Sequence, residues 1–125
     1  MLNECIFIGN LVKDVEAKTV NSNGKNFDLY NFTIAVNGTK ENDTSYFNCV
    51  AWGAKGKAIF ERCGKGSKVC VLGAMHSRSY KDANNNKRVA YELLVTQCEF
   101  ITLKPKEGAP VATTDDTIPF DFPNG

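Results

Sequence analysis

The chain has 125 residues, of which 42% are apolar and 23% charged, and its formal net charge is +1. That length serves one hydrophobic core and is short for two ordinary domains. No apolar run approaches the roughly 20 residues of a membrane span, and Met1–Val12 lacks the cationic start and cleavage site of a secretory leader, so the expected chain is cytosolic and makes no membrane contact.

The small net charge hides an asymmetry. Residues 1–106 hold all 15 Lys and Arg against 10 acids, whereas residues 107–125 hold four acids and no base. A basic body with an acidic tail is a weak pointer to nucleic acid. The five cysteines (Cys5, Cys49, Cys63, Cys70 and Cys98) leave one over in any disulfide scheme, and none has the spacing of a zinc knuckle. With His76 the only histidine, no metal site is expected. Buried free thiols suit a reducing compartment. His76 itself is expected at the surface or at a subunit contact.

In chain order, residues 4–12 form an apolar run interrupted by Gly9-Asn10, which predicts a first strand bent at the glycine. Lys13–Val20 alternates loosely and extends it. The polar NSNGKN at 21–26 predicts a hairpin turn, because Asn and Gly tolerate positive φ. Leu29–Asn37 alternates, with Tyr30, Phe32, Ile34 and Val36 on one apolar face, so a second strand is expected with Tyr30 and Phe32 in the core. Gly38–Ser45 is a polar loop. The third strand is Tyr46–Trp52.

Residues 53–63 change period and predict a short helix that exits at Gly64 and Gly66. Lys68–Ala74 is apolar on both faces, as a central or strongly curved strand would be. His76–Lys81 continues it as a polar arm, Ala83–Asn86 makes the hairpin tip, and Arg88–Cys98 returns. Tyr91, Phe100, Ile101 and Leu103 are assigned to the core. The expected fold is therefore all-β: a five-stranded barrel with one short helix between strands three and four. This is the layout of the oligonucleotide/oligosaccharide-binding (OB) fold. The barrel is expected over residues 1–104, with a disordered acidic tail over 105–125.

The third strand carries the chemistry. Successive side chains of a strand point to opposite faces, so Tyr46, Asn48, Val50 and Trp52 share one face, and Phe47, Cys49 and Ala51 the other. The second set is core. The first set places two aromatics roughly 20 Å apart at about 3.3 Å per residue. Alone, that pattern fits either a buried strand or a pair of stacking surfaces for unpaired bases.

Five stretches extend the pattern: IFIGNLVKD at 6–14, NFTIAVN at 31–37, YFNCVAWGAKGKAIFERCGKGS at 46–67, VLGAMHSRSYKD at 71–82 and DDTIPF at 115–120. Together they resemble the bacterial and bacteriophage single-stranded-DNA-binding protein family over nearly the whole chain. The resemblance implies an OB barrel, usually assembled as a homotetramer, that binds single-stranded DNA with little sequence preference and needs neither cofactor nor catalytic residues. It puts stacking aromatics at Tyr46, Trp52 and Tyr80. A further family aromatic has no counterpart in Gly38–Ser45, which suggests one fewer platform or a different path for the strand.

Polar and phosphate contacts are expected from Lys13, Asn48, Lys55, Lys57, Arg78, Lys81 and Arg88, with Arg78 and Tyr80 two residues apart and hence on one face. The resemblance also implies a tail that recruits replication, recombination and repair proteins through Asp115, Asp116, Ile118, Pro119 and Phe120. Five residues follow Phe120, so its carboxylate is not free as it is at the family's tail tip. Two rival expectations are an OB-fold adaptor for which DNA is secondary, and a small nuclease, which one histidine and unclustered carboxylates disfavour.

Overall fold

The computed structural model describes residues 1–106. The tail positions Asp115, Asp116, Ile118, Pro119 and Phe120 lie outside these described residues. Six strands and one helix follow in order: β1 (Cys5–Leu11), β2 (Glu16–Ser22), β3 (Lys25–Asn37), β4 (Thr44–Trp52), α1 (Gly53–Arg62), β5 (Lys68–Lys81) and β6 (Lys87–Thr102). The sheet runs β1-β5-β6-β4-β3-β2, and a further β1–β3 pairing closes it into a ring. The single parallel contact among these pairings joins β4 to β6 at Cys49↔Leu93 and Val50↔Leu94. This is the expected OB-type barrel, with the helix between the expected third and fourth strands.

β1 and β2 are the two segments of the expected first strand. β1 pairs with β5 from Cys5 to Asn10 and passes to β3 at Asn10–Leu11. That change of partner falls at the Gly9-Asn10 break in the sequence. The hairpin turn is tighter than 21–26: β2 and β3 stay paired to Ser22↔Lys25, and only Asn23 (φ 53°) and Gly24 (φ 78°) turn. Two successive positive φ angles match the right-handed twist of the flanking strands. β3 therefore begins at Lys25 and includes Phe27, which the sequence left unassigned.

The core follows the alternation of the strands. Tyr30, Phe32 and Ile34 of β3, Cys49 and Ala51 of β4, Val69 and Val71 of β5 and Leu93 and Val95 of β6 are buried. Phe47 stacks on Phe7 with ring centroids 4.0 Å apart. Helix α1 closes one end of the barrel with Ile59, which is 1% exposed. A Cβ at Gly56 would overlap the Tyr30 ring, so glycine lets the helix seat directly on β3. Ser67 is fully buried and joins three elements: its Oγ accepts from the Gly64 and Lys104 N–H groups, and its carbonyl accepts from Leu11.

All five cysteines are free thiols. Burial pushes Cys49 and Cys98 up to about 12 and Cys63 up to about 11, so these three behave as small apolar side chains. No helix among the described residues is long and apolar enough to cross a membrane.

Three core assignments are corrected. Tyr91 is 63% exposed, Ile101 49% and Leu103 41%. Tyr91 does share its strand face with Leu93 and Val95, but it lies opposite Ser77, on the arm beyond the end of the barrel. Alternation assigns a face; it does not say where the core stops. Ile101 and Leu103 likewise alternate with Phe100, which keeps the inward side under the Arg62 guanidinium, 4.4 Å from its ring centroid.

Candidate nucleic-acid interface

The outer face of the sheet can be built residue by residue from the strand registers. β3 and β4 pair at Leu29↔Trp52, Asn31↔Val50, Thr33↔Asn48 and Ala35↔Tyr46. Residues directly opposite one another point to the same face, so all eight lie on one side. β2 adds Lys18 beside Leu29 and Glu16 beside Asn31. From the other wall, Val50↔Leu94 carries the face onto β6, and His76↔Glu92, Arg78↔Ala90 and Tyr80↔Arg88 carry it along the β5–β6 arm.

Between these walls runs a groove made of two adjoining cavities. The first, about 230 Å³, is lined by Lys13, Asn31, Thr33, Asn48, Arg78 and Glu92 among others. The second, about 460 Å³, includes Lys18, Asn31, Trp52, His76, Arg78 and Glu92. Tyr46, Trp52 and Tyr80 are 66%, 46% and 43% exposed. What sets these three apart from the exposed Tyr91 ring is that they share the outer face that carries the groove. Gly53, with φ +57°, turns the chain from β4 into α1 and leaves Trp52 outside the barrel. The Trp52 and Phe27 rings meet in a T-shaped contact at 6.3 Å and an interplanar angle of 85°, an arrangement that suits the ring quadrupoles.

Electrostatically the groove is modest. Lys13 pairs with Glu16 at 3.6 Å, and Arg78 with Glu92 at 3.6 Å. Asn48 accepts a 2.9 Å hydrogen bond from the Thr33 hydroxyl, which fixes its amide over the groove floor. The Arg78 guanidinium lies 5.7 Å from the centre of the Tyr80 ring, consistent with their shared face.

The remaining expected contacts are dispersed. Arg88 is held by Asp82 at 2.9 Å. That aspartate also accepts from the Asn84 and Asn86 N–H groups at the hairpin tip. The Arg88 guanidinium, with these two bonds, holds the Asp82 carboxyl below its usual range. Lys81 is exposed next to Tyr80 but on the opposite face, across from Lys87. Lys55 donates to the Thr96 carbonyl and borders a separate cavity beside α1, and Lys57 is exposed on that helix.

The sequence missed Glu16, Lys18, Asn31 and Glu92, which line the groove, and Phe27, which abuts Trp52. For Phe27 and Asn31 the only signal was parity, since Phe27, Leu29 and Asn31 alternate with Tyr30 and Phe32 once β3 is extended back to its true start.

A family model described as the single-strand binding protein family matches residues 2–101. The chain belongs to that family. Among its relatives, single-stranded DNA-binding protein 1 of Clostridium acetobutylicum is 28% identical over 108 residues, which cover 82% of this chain and 96% of the relative. Single-stranded DNA-binding protein B of Bacillus subtilis is 28% identical, with 87% and 98% covered. Single-stranded DNA-binding protein 4 of Streptococcus agalactiae is 26% identical, with 99% and 91% covered. As a single-strand binding protein, the molecule binds single-stranded DNA and is not an enzyme.

Proposed function

We propose that this protein coats and protects single-stranded DNA across the Tyr46–Trp52–Tyr80 face, with little sequence preference, during replication, recombination and repair. The observation that carries the proposal is the set of three exposed aromatics on one outer face of the sheet, of which Trp52 lines the groove that also holds Lys13, Lys18, Arg78 and Asn48. Every base has a π face, so stacking accepts any sequence, and duplex DNA hides those faces. Each stacked base contributes about 1–3 kcal/mol when tested by truncation. Cations that neutralise phosphates release counterions, which makes affinity fall as salt rises.

The protein acts as a homotetramer in the cytoplasm of a bacterium or of a phage-infected cell. Support for self-association comes from the exposed Ile6 and Ile8 on β1, opposite Leu72 and Cys70. The tail recruits partner proteins through Asp115, Asp116, Ile118, Pro119 and Phe120, with support from the order of acids and apolar residues in the sequence alone.

Because Trp52 is the only tryptophan, one titration tests the core of the proposal. Oligo(dT) added at low salt should quench Trp52 emission strongly, and added salt should restore it. Unchanged emission, with binding seen by another method, would remove Trp52 as a platform. The same titration on a chain ending at residue 114 should keep the quench at equal or higher affinity while capture of replication and repair proteins is lost. Undiminished capture would remove the tail's role.

A further inference from the structure

Glu92 is out of place in a groove for a polyanion. It lies on β6 directly opposite His76 and diagonal to Arg78, and it lines both cavities of the groove with Asn31 and Val50. Its Oε1 is 3.6 Å from Arg78 Nε and 3.9 Å from His76 Nδ1. The carboxylate side chain is only 22% exposed, against 55% for Arg78 and 52% for His76. Both basic groups therefore lean inward over an acid that is itself largely withdrawn from solvent.

The pairing is loose. At 3.6 Å the Arg78–Glu92 contact exceeds an ordinary hydrogen bond, unlike the 2.9 Å Arg88–Asp82 bond at the hairpin tip. Its pairing with Glu92 is electrostatic rather than hydrogen-bonded, a geometry that a better-placed anion can replace while the Tyr80 ring stays beside the guanidinium. The other acid in the groove, Glu16, faces Lys13 across an open surface, with side chains 65% and 57% exposed, where water and salt screen the pair.

We propose that Glu92 is a positioning residue that restrains binding: it occupies Arg78 in the free protein, and a DNA phosphate gains Arg78 only by displacing that carboxylate. The inference rests on the groove being the DNA path. It follows that the Arg78–Glu92 pair, neutral as a whole, displaces few of the cations condensed on the DNA when a phosphate docks beside it, so this contact adds little to the salt dependence of binding. Removing the charge while keeping the shape frees Arg78 to act as a full phosphate ligand.

The test uses the full chain and oligo(dT) over a range of salt. Glu92→Gln should tighten binding several-fold at low salt. It should also steepen the dependence of log affinity on log salt by up to about 0.7, the increment for one further phosphate on a single strand. Glu16→Gln should do much less. Arg78→Gln should weaken binding, and should weaken it more in the Glu92→Gln background, so that the two changes are not additive.

Weaker binding or an unchanged salt slope in Glu92→Gln, with Arg78→Gln still impaired, would overturn the role of Glu92 and leave the groove intact. A loss confined to oligo(dC), with oligo(dT) unaffected, would overturn it too, by making Glu92 a reader of base amino groups. No effect of Arg78→Gln would overturn both the inference and the groove assignment. Thermal unfolding of Glu92→Gln at the wild-type temperature verifies that the fold is kept.

Discussion

On β4, Cys49 and Ala51 point inward and are 1% and 0% exposed, while Tyr46 and Trp52, on alternate positions of the same strand, are 66% and 46% exposed. Both sets include large or apolar side chains, and both lie on the same strand. The inner set meets Leu93, Ile59 and the Phe7–Phe47 stack. In the outer set Trp52 lines the groove and Tyr46 stands open to solvent. What separates them is which side of the sheet the barrel closes on, a property of the whole ring. A strand with stable packing on one face can hold costly exposed aromatics on the other, because the inner face supplies the stability.

That division can be broken from either side. The largest effect is expected inside: Leu93→Ala, at the fully buried partner of Cys49, should cost about 2–5 kcal/mol in urea unfolding. The affinity of the molecules that remain folded should hardly change. A comparable loss of intrinsic DNA affinity would mean that the two faces are coupled.

Next come Trp52→Ala and Tyr80→Ala, each expected to weaken oligo(dT) binding by about 1–3 kcal/mol at an unchanged melting temperature. Loss of folding in either variant would return that ring to the core. The smallest effect belongs to Tyr91→Ser, on the opposite face of the arm from Tyr80. Stability should stay within about 0.5 kcal/mol of wild type, with DNA affinity unaltered. A drop in affinity there would extend the interface around the arm.

The arm of the β5–β6 hairpin makes the same point as β4. Val69 and Val71 are buried, and His76, Arg78 and Tyr80 further along the same strand are not. The first half is apolar on both faces and only the second is polar, yet the backbone runs on as one strand. For Tyr91 alternation pointed to the correct face and the wrong environment, because burial depends on what lies across the barrel. Phe27 failed differently: a turn assigned six residues hid Lys25 and Asn26, the strand was started only at Leu29, and the compact Asn23-Gly24 hairpin restores Phe27 to β3.

From residues alone came the strand and helix order, the parity that sets Tyr46, Asn48 and Trp52 together, the pairing of Arg78 with Tyr80 on one face, and the family. These are local or motif-borne: a strand's period is two, and the five stretches occur in family order. Only the tertiary structure decided that Phe27 abuts Trp52, that Lys55 turns to Thr96 rather than the groove, and that Glu92 sits beneath Arg78. Each is set by strand register or by packing between elements far apart in sequence. Side-chain periodicity within one strand carries no information about which residue stands opposite.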